Sequence, residues 1–251
     1  MDTHSQPPER DRSALPERGG RRWSRSVRWA AASALAVLLL GTLVNAFVLQ
    51  PFSIPSGSME NTLRVGDRVL VNKLAYRFGN HPARGDVVVF DGTGSFVPEG
   101  TGASPASGVL RTVGAAVGLA SSPKRDYVKR VIGVGGDRVV CCDEQGRIEV
   151  NGEPLHEGYL YPGDTPSTVP FDVVVPPGRL WVMGDHRSDS QDSRAHLGSP
   201  GGGMVPEERV IGRVDWIGWP VDRWGAVRHD AAHRAAAPRV PAAEASVGAH
   251  G

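Results

Sequence analysis

The stretch that most limits what this chain can become is WAAASALAVLLLGTLVNAFVL, Trp29 to Leu49. It carries no charge, and its apolar residues would cover every side of a helix. A helix needs roughly 20 apolar residues to cross the ~30 Å hydrocarbon core of a bilayer. This segment has that length, whereas a helix packed on a water-facing domain would keep a polar face. Arg18, Arg21, Arg22, Arg25 and Arg28 precede it with no acid among them. Such an excess of cations on one flank places the N-terminus in the cytoplasm. A cleavable export signal shares the basic start and apolar middle, and Val44-Asn45-Ala46 resembles a cleavage site. On either reading, everything after Leu49 lies outside the cytoplasm.

The rest of the chain divides by texture. Met1 to Arg28 is rich in Pro, Ser and Arg and reads as a disordered cytoplasmic tail. From Gly66 on, RVLVNKL, DVVVF, DYVKRVIG, DRVVC, RIEV, RLWVMG and RVIGRVDWIGW are short Val- and Ile-rich runs separated by Gly, Pro and Asp. That pattern predicts a mostly β, antiparallel domain over residues 50–226. A Gly/Ser/Pro-rich insertion, residues 92–123, reads as a mobile surface segment. Within it, Leu110, Val113 and Val117 recur at helical spacing. Residues 227–251 are Ala, Pro, Arg and His without a core pattern and predict a disordered tail. With a formal net charge of +1, the chain has no overall drive toward nucleic acid. Its two cysteines, Cys141 and Cys142, are adjacent. Two ligands do not fill a four-coordinate zinc site, and Cα atoms ~3.8 Å apart lie below the usual disulfide range. Free thiols, a vicinal disulfide and a bond to another chain all stay open.

Three stretches have the makings of a reactive site. In PSGSMENTL, Pro55 to Leu63, Gly57 permits unusual dihedrals and Pro55 stiffens the entry. A serine hydroxyl on such a turn suits a nucleophile, and a second hydroxyl at Ser56 could donate to an oxyanion. A serine needs a base. Histidine is the usual one, and His186 alone of the eight sits in a dense polar cluster. Lysine is the other choice, and only Lys73, Lys124 and Lys129 exist. A free lysine is almost wholly protonated near neutrality, but apolar surroundings lower its pKa. Lys129 and Lys73 both stand in apolar strand patterns, and the pattern does not choose between them. The third stretch, GDHRSDSQDSR, Gly184 to Arg194, follows a strand with short polar side chains able to orient a base. Its Asp spacing resembles a calcium loop but lacks the Gly and terminal Glu.

Taken together and in order, a basic tail, one apolar span, PSGSMENTL, GDVVVF, DYVKRVIGVGGD and GDHRSDSQDSR resemble the bacterial type I signal peptidases. These are membrane serine proteases with a Ser–Lys dyad. The resemblance runs from about Trp29 to Trp219. It implies a nucleophile at Ser58, a general base at Lys129 and an oxyanion-hole hydroxyl at Ser56. It also implies orienting roles for Ser190, Asp192 and Arg194, and substrate pockets lined by Ile54 and Val128. The expected partners are membrane lipid and preproteins bearing signal peptides, cut after small residues, with no cofactor, metal or nucleic acid. The expected location is the plasma membrane, single-pass, with the catalytic domain outside. Two positions depart from the family's usual residues, His186 where Asn is common and Asn61 where Pro is common. The paired cysteines match no family pair. The rival readings are a secreted Ser-His-Asp hydrolase using His186 and a non-catalytic, membrane-tethered binding domain.

Overall fold

The computed structural model describes residues 25–98, 125–199 and 201–229. It divides into two units, one ending at Leu40 and one beginning at Gly41. The described residues of the first belong to helix α1 (Arg25–Phe47), which runs on past Leu40. Its side chains are described from 26 to 42. Leu35, Val37, Leu38, Leu39 and Leu40 are all exposed, at 56–71%. At ~100° per residue these five positions point around the whole axis, so the helix has no single buried face. Among the described residues no helix is long and apolar enough to cross a membrane. The side chains of 43–47, which complete the apolar run, lie outside the description. The helix begins four residues before Trp29, inside the expected tail, and stops short of Leu49, where a strand starts. Pro51 explains the early stop, because its ring excludes helix and biases the preceding residue to extended backbone.

The second unit is β-rich. Its strands are β1 (Leu49–Ser53), β2 (Arg68–Asn72), β3 (Val87–Asp91), β4 (Asp126–Val134), β5 (Arg138–Cys141), β6 (Ile148–Val150), β7 (Glu153–Pro154), β8 (Phe171–Val174), β9 (Arg179–Met183), β10 (Val205–Pro206), β11 (Val210–Trp219) and β12 (Gly225–Ala226). One sheet runs β1-β2-β11-β3-β4-β9-β10, with β12 on β11, and a smaller one runs β7-β6-β5-β8. The described pairings between named strands are antiparallel, as the turn-punctuated Val/Ile runs predict. All seven quoted runs form strands. β1, β7, β8, β10 and β12 lie outside the quoted runs, and the sequence pattern missed them.

β4 enters the smaller sheet through the turn Gly135-Gly136-Asp137. Gly136 has φ +94, which favours glycine. Asp137 accepts the Val134 amide at 2.8 Å and pairs with Arg84 through two bonds of 2.7 and 2.6 Å, almost wholly buried. Three apolar clusters border β4: Phe52, Ile54, Met59, Leu63, Val69 and Val71 with others in the first, Ile132, Val139, Val150, Trp181 and Met183 with others in the second, and Val88, Phe90, Val131 and Val182 with others in the third. Each such side chain contributes roughly 1.5–3 kcal/mol of burial. Cys141 and Cys142 are bonded to each other.

Two expected boundaries differ. Gly92–Pro98, the start of the insertion, is a compact turn in which Phe96 is buried and stacks edge-on with Tyr127. Residues 99–124, including the helical spacing at Leu110, lie outside the described residues. The expected tail also begins late: Val227 is 5% exposed and belongs to the first core cluster. One valine among Ala, Pro and Arg gives no periodic signal, so the sequence did not show it.

Gly212 on β11 lies against β2, where an added Cβ would sit 2.5 Å from the Asn72 carbonyl oxygen. Backbone cannot move aside as a side chain can. Gly212→Ala should cost about 1–3 kcal/mol and lower Tm by several degrees, read by thermal unfolding of the full chain in detergent.

Candidate functional site

Ser58 sits in a one-turn 3-10 segment, Gly57–Met59. Sequence and packing fix this turn from both sides. Ile54 before it is 4% exposed, and Met59 and Leu63 after it are 1% and 0% exposed in the same core cluster. Glu60 N–H closes the turn on Gly57 O at 2.9 Å, and Leu63 N–H bonds Met59 O at 2.8 Å. Gly57 faces the Asp189 carboxylate, which a Cβ would approach to 3.1 Å. Ser56 has extended backbone and its side chain makes no capping bond. Its exposed hydroxyl lies 3.5 Å from Ser58 Oγ.

β4 brings Lys129 to this turn across 71 residues of chain, and Lys129 Nζ donates to Ser58 Oγ at 2.6 Å. The lysine is 4% exposed. Burial pulls its pKa down to about 8, although Asp192, Asp185 and Asp189 each draw it back up. At pH 8 about half of such lysines are neutral, against well under one per cent at the ordinary value. Lys73, just past β2, is lowered too, by burial and then by Arg77, but no bond joins it to Ser58. Lys124 lies outside the described residues.

The loop GDHRSDSQDSR packs over the pair. His186 N–H donates to Ser58 O at 3.1 Å, so the loop grips the backbone of the turn. The His186 ring stacks on Tyr161 with centroids 3.9 Å apart, and among the described residues its Nδ1 has no partner. No hydrogen bond runs from that ring to Ser58, as the Ser-His-Asp rival would require. Asp192 is fully buried and takes Arg194 through Nε and Nη2 at 2.9 and 2.8 Å, plus the Gly184 amide at 3.0 Å. Burial alone would raise its carboxyl, but Arg194 outweighs burial and holds it below the ordinary range. Ser190 lies close enough to assist in this, yet its hydroxyl forms no hydrogen bond of good geometry, to Lys129 or to any other described residue. It packs on Gly184, where a Cβ would come within 2.3 Å of Ser190 Oγ and 2.5 Å of Ser58 O. Val128 is half-buried and packs with Ile54 against the first core cluster.

The sequence reading missed the centre of the support. Arg130, next to Lys129, is 1% exposed and pairs with fully buried Asp185 at 2.8 and 2.6 Å. Thr62 Oγ1 donates to the same carboxylate, and the Arg130 guanidinium lies 4.0 Å over the Tyr159 ring. Base strand, serine turn and loop thus meet at one ion pair. Its two members stand inside two quoted motifs, DYVKRVIG and GDHRSDSQDSR, but nothing in either motif marks them as partners. Among the described residues no three His, Cys, Asp or Glu side chains cluster as a metal site.

Gly184→Ala should remove most of whatever activity this site has while the domain stays folded, since Ser58 and Ser190 must both retreat from the new methyl. Lys129 gives a test that needs no substrate. Its folded pKa lies below its unfolded value, so between about pH 8 and 10.5 the unfolded chain binds more protons and stability rises with pH. Lys129→Met should therefore raise Tm at pH 7, with the gain shrinking toward pH 10.

Comparison with known proteins agrees with the motifs. A family model described as signal peptidase, peptidase S26, matches residues 26–219. A signal peptidase I of Mycobacterium tuberculosis is 42% identical over 225 residues, covering 81% of this chain and 76% of the relative. A signal peptidase I of Haemophilus influenzae is 32% identical, covering 74% and 68%. Signal peptidase IB of Staphylococcus aureus is 30% identical, covering 77% and 90%. A chain matched over most of its length by such a family model and by these relatives belongs to the signal peptidase family, peptidase S26, and is a serine endopeptidase of it.

Proposed function

We propose that this enzyme cuts signal peptides from exported preproteins with Ser58 as nucleophile and Lys129 as general base. The observation that carries this reading is the 2.6 Å bond from Lys129 Nζ to Ser58 Oγ between two buried side chains. Neutral Lys129 takes the serine proton as Ser58 attacks the scissile carbonyl. The Ser56 hydroxyl and the Ser58 N–H hold the oxyanion. Asp192, paired with Arg194, acts on the lysine through its charge, and Ser190 packs beside the serine turn at Gly184. Ile54 and Val128 line pockets too shallow for large side chains, so sites of the Ala-X-Ala type are cut.

The membrane reading rests on α1 and on the surface of the β unit, each taken by itself. The apolar side chains of α1 are exposed on every side, which water does not tolerate and lipid does. On the β unit, Trp219, Val221 and Trp224 are 54–67% exposed. Tryptophan is enriched where protein meets the membrane–water boundary. The helix then spans the plasma membrane, with the N-terminus cytoplasmic and the catalytic unit outside. Preproteins and lipid are the partners, and the chemistry needs no cofactor, metal or nucleic acid.

Purified enzyme should cleave an Ala-X-Ala preprotein, and Ser58→Ala or Lys129→Ala should lower kcat at least a thousandfold. His186→Ala should keep most activity. The reverse pattern would hand the site to a Ser-His-Asp mechanism. Because the base works only when neutral, kcat/KM should climb with pH and level off above about 8. Phe directly before the bond should slow cleavage sharply, and Ile54→Ala with Val128→Ala should relax that preference.

A further inference from the structure

Past Trp219 the chain leaves β11, turns through Val221–Arg223 and returns along β11 as β12, with Ala226 opposite Trp216 and Gly225 opposite Ile217. The family match ends at residue 219, so this returning segment lies beyond it. It reaches both halves of the site. Arg223 Nη2 donates to Thr62 O at 3.0 Å, and its Nη1 lies 3.0 Å from Asp67 Oδ2. Thr62 follows Ser58 by four residues, and Asp67 O accepts the Ile54 amide at 2.9 Å. The guanidinium therefore grips the leaving limb of the serine turn directly and reaches the entering limb through Asp67. Three residues past Trp224, Val227 donates its N–H to Asp215 O at 3.0 Å and buries its side chain beside Ile54 and Met59. The next carbonyl, Arg228 O, accepts Arg130 Nη1 at 3.2 Å. Arg130 is the residue after Lys129. The His229 ring then rests 3.6 Å from Asp215 and 3.8 Å from Asp86.

Between this segment and the main body lies a cleft of about 650 Å³ bordered by Asn61, Thr62, Arg130, Tyr159, Val227 and His229. Proton transfer from serine to lysine depends on their separation, and a displacement of ~1 Å can cost ~100-fold in rate.

We propose that residues 221–229 are a positioning strap for the dyad: Arg223 holds the Ser58 turn, the Arg228 carbonyl holds the Lys129 strand, and one short segment sets the distance between them. The proposal rests on the Ser58–Lys129 reading above. Neither Arg223 nor Val227 touches substrate; both act through the serine turn and the lysine strand.

The test uses the full chain in detergent and a peptide with an Ala-X-Ala site. Arg223→Ala should lower kcat roughly 10- to 100-fold at nearly constant KM. It should also move the rising limb of the pH profile to higher pH, because a loosened site lets water reach the lysine. Arg223→Lys should restore part of both, since an ammonium can keep one of the two contacts. Val227→Ala should act in the same direction and replaces Arg223→Ala if that variant does not fold. Val150→Ala, buried in the second core cluster, serves as the stability control: a lower Tm with unchanged kcat and pH limb. Should the strap variants behave as Val150→Ala does, while Ser58→Ala is inactive, the strap is overturned and the dyad stands. Should Ser58→Ala cleave normally, the dyad reading and the strap fall together.

Discussion

A lysine held out of water against a serine hydroxyl is the constraint on which the rest of this structure depends. Lys129 is desolvated by the core of the β unit, and that burial lowers its pKa. The surrounding polar loop works against it, because Asp192, Asp185 and Asp189 all favour the ammonium form. The structure resolves the conflict by giving the two buried carboxylates partners of their own: Arg194 lies on Asp192 and Arg130 on Asp185. A carboxylate already held by a guanidinium attracts a third charge less strongly. Carboxylates can then hold the loop in shape beside the lysine without pinning it in its protonated state.

The geometry of the serine turn follows from the same economy of space. Met59 and Leu63 anchor it in the core from below, and His186 N–H holds its carbonyl from above. Glycine supplies the clearance on both sides: Gly57 against Asp189 and Gly184 against Ser58 and Ser190. The buried serine has its neighbours this close, and a Cβ at either position would hold them apart.

Much of this was legible in the chain. Seven Val- and Ile-rich runs became strands because β-branched preference for extended backbone and the breaking effect of turn residues act locally. The serine turn showed itself through Pro55 and Gly57, although Gly57 takes no positive φ and serves by its small size against Asp189. Pattern alone did not separate Lys129 from Lys73, since both sit in similar strand sequences and only the pairing of distant strands brings one to Ser58. The Arg130–Asp185 pair was hidden for the same reason: the two residues lie 55 positions apart, and each reads as an ordinary surface charge. The C-terminal strap was the least visible part. Its order comes from one buried valine, one guanidinium and one carbonyl, none of which makes a periodic signal.

The pairing of buried arginines with carboxylates has one more consequence. Arg84–Asp137, Arg130–Asp185, Arg187–Glu157 and Arg194–Asp192 have side chains at most 7% exposed. Mobile ions screen charges in water over ~8–10 Å at ordinary salt, but they do not enter such pairs. The scaffold of the site is thereby insulated from ionic strength, whereas exposed contacts such as Arg138–Asp172 are not. An enzyme built this way keeps its internal geometry through swings in salinity, and salt is left to act on the encounter with substrate.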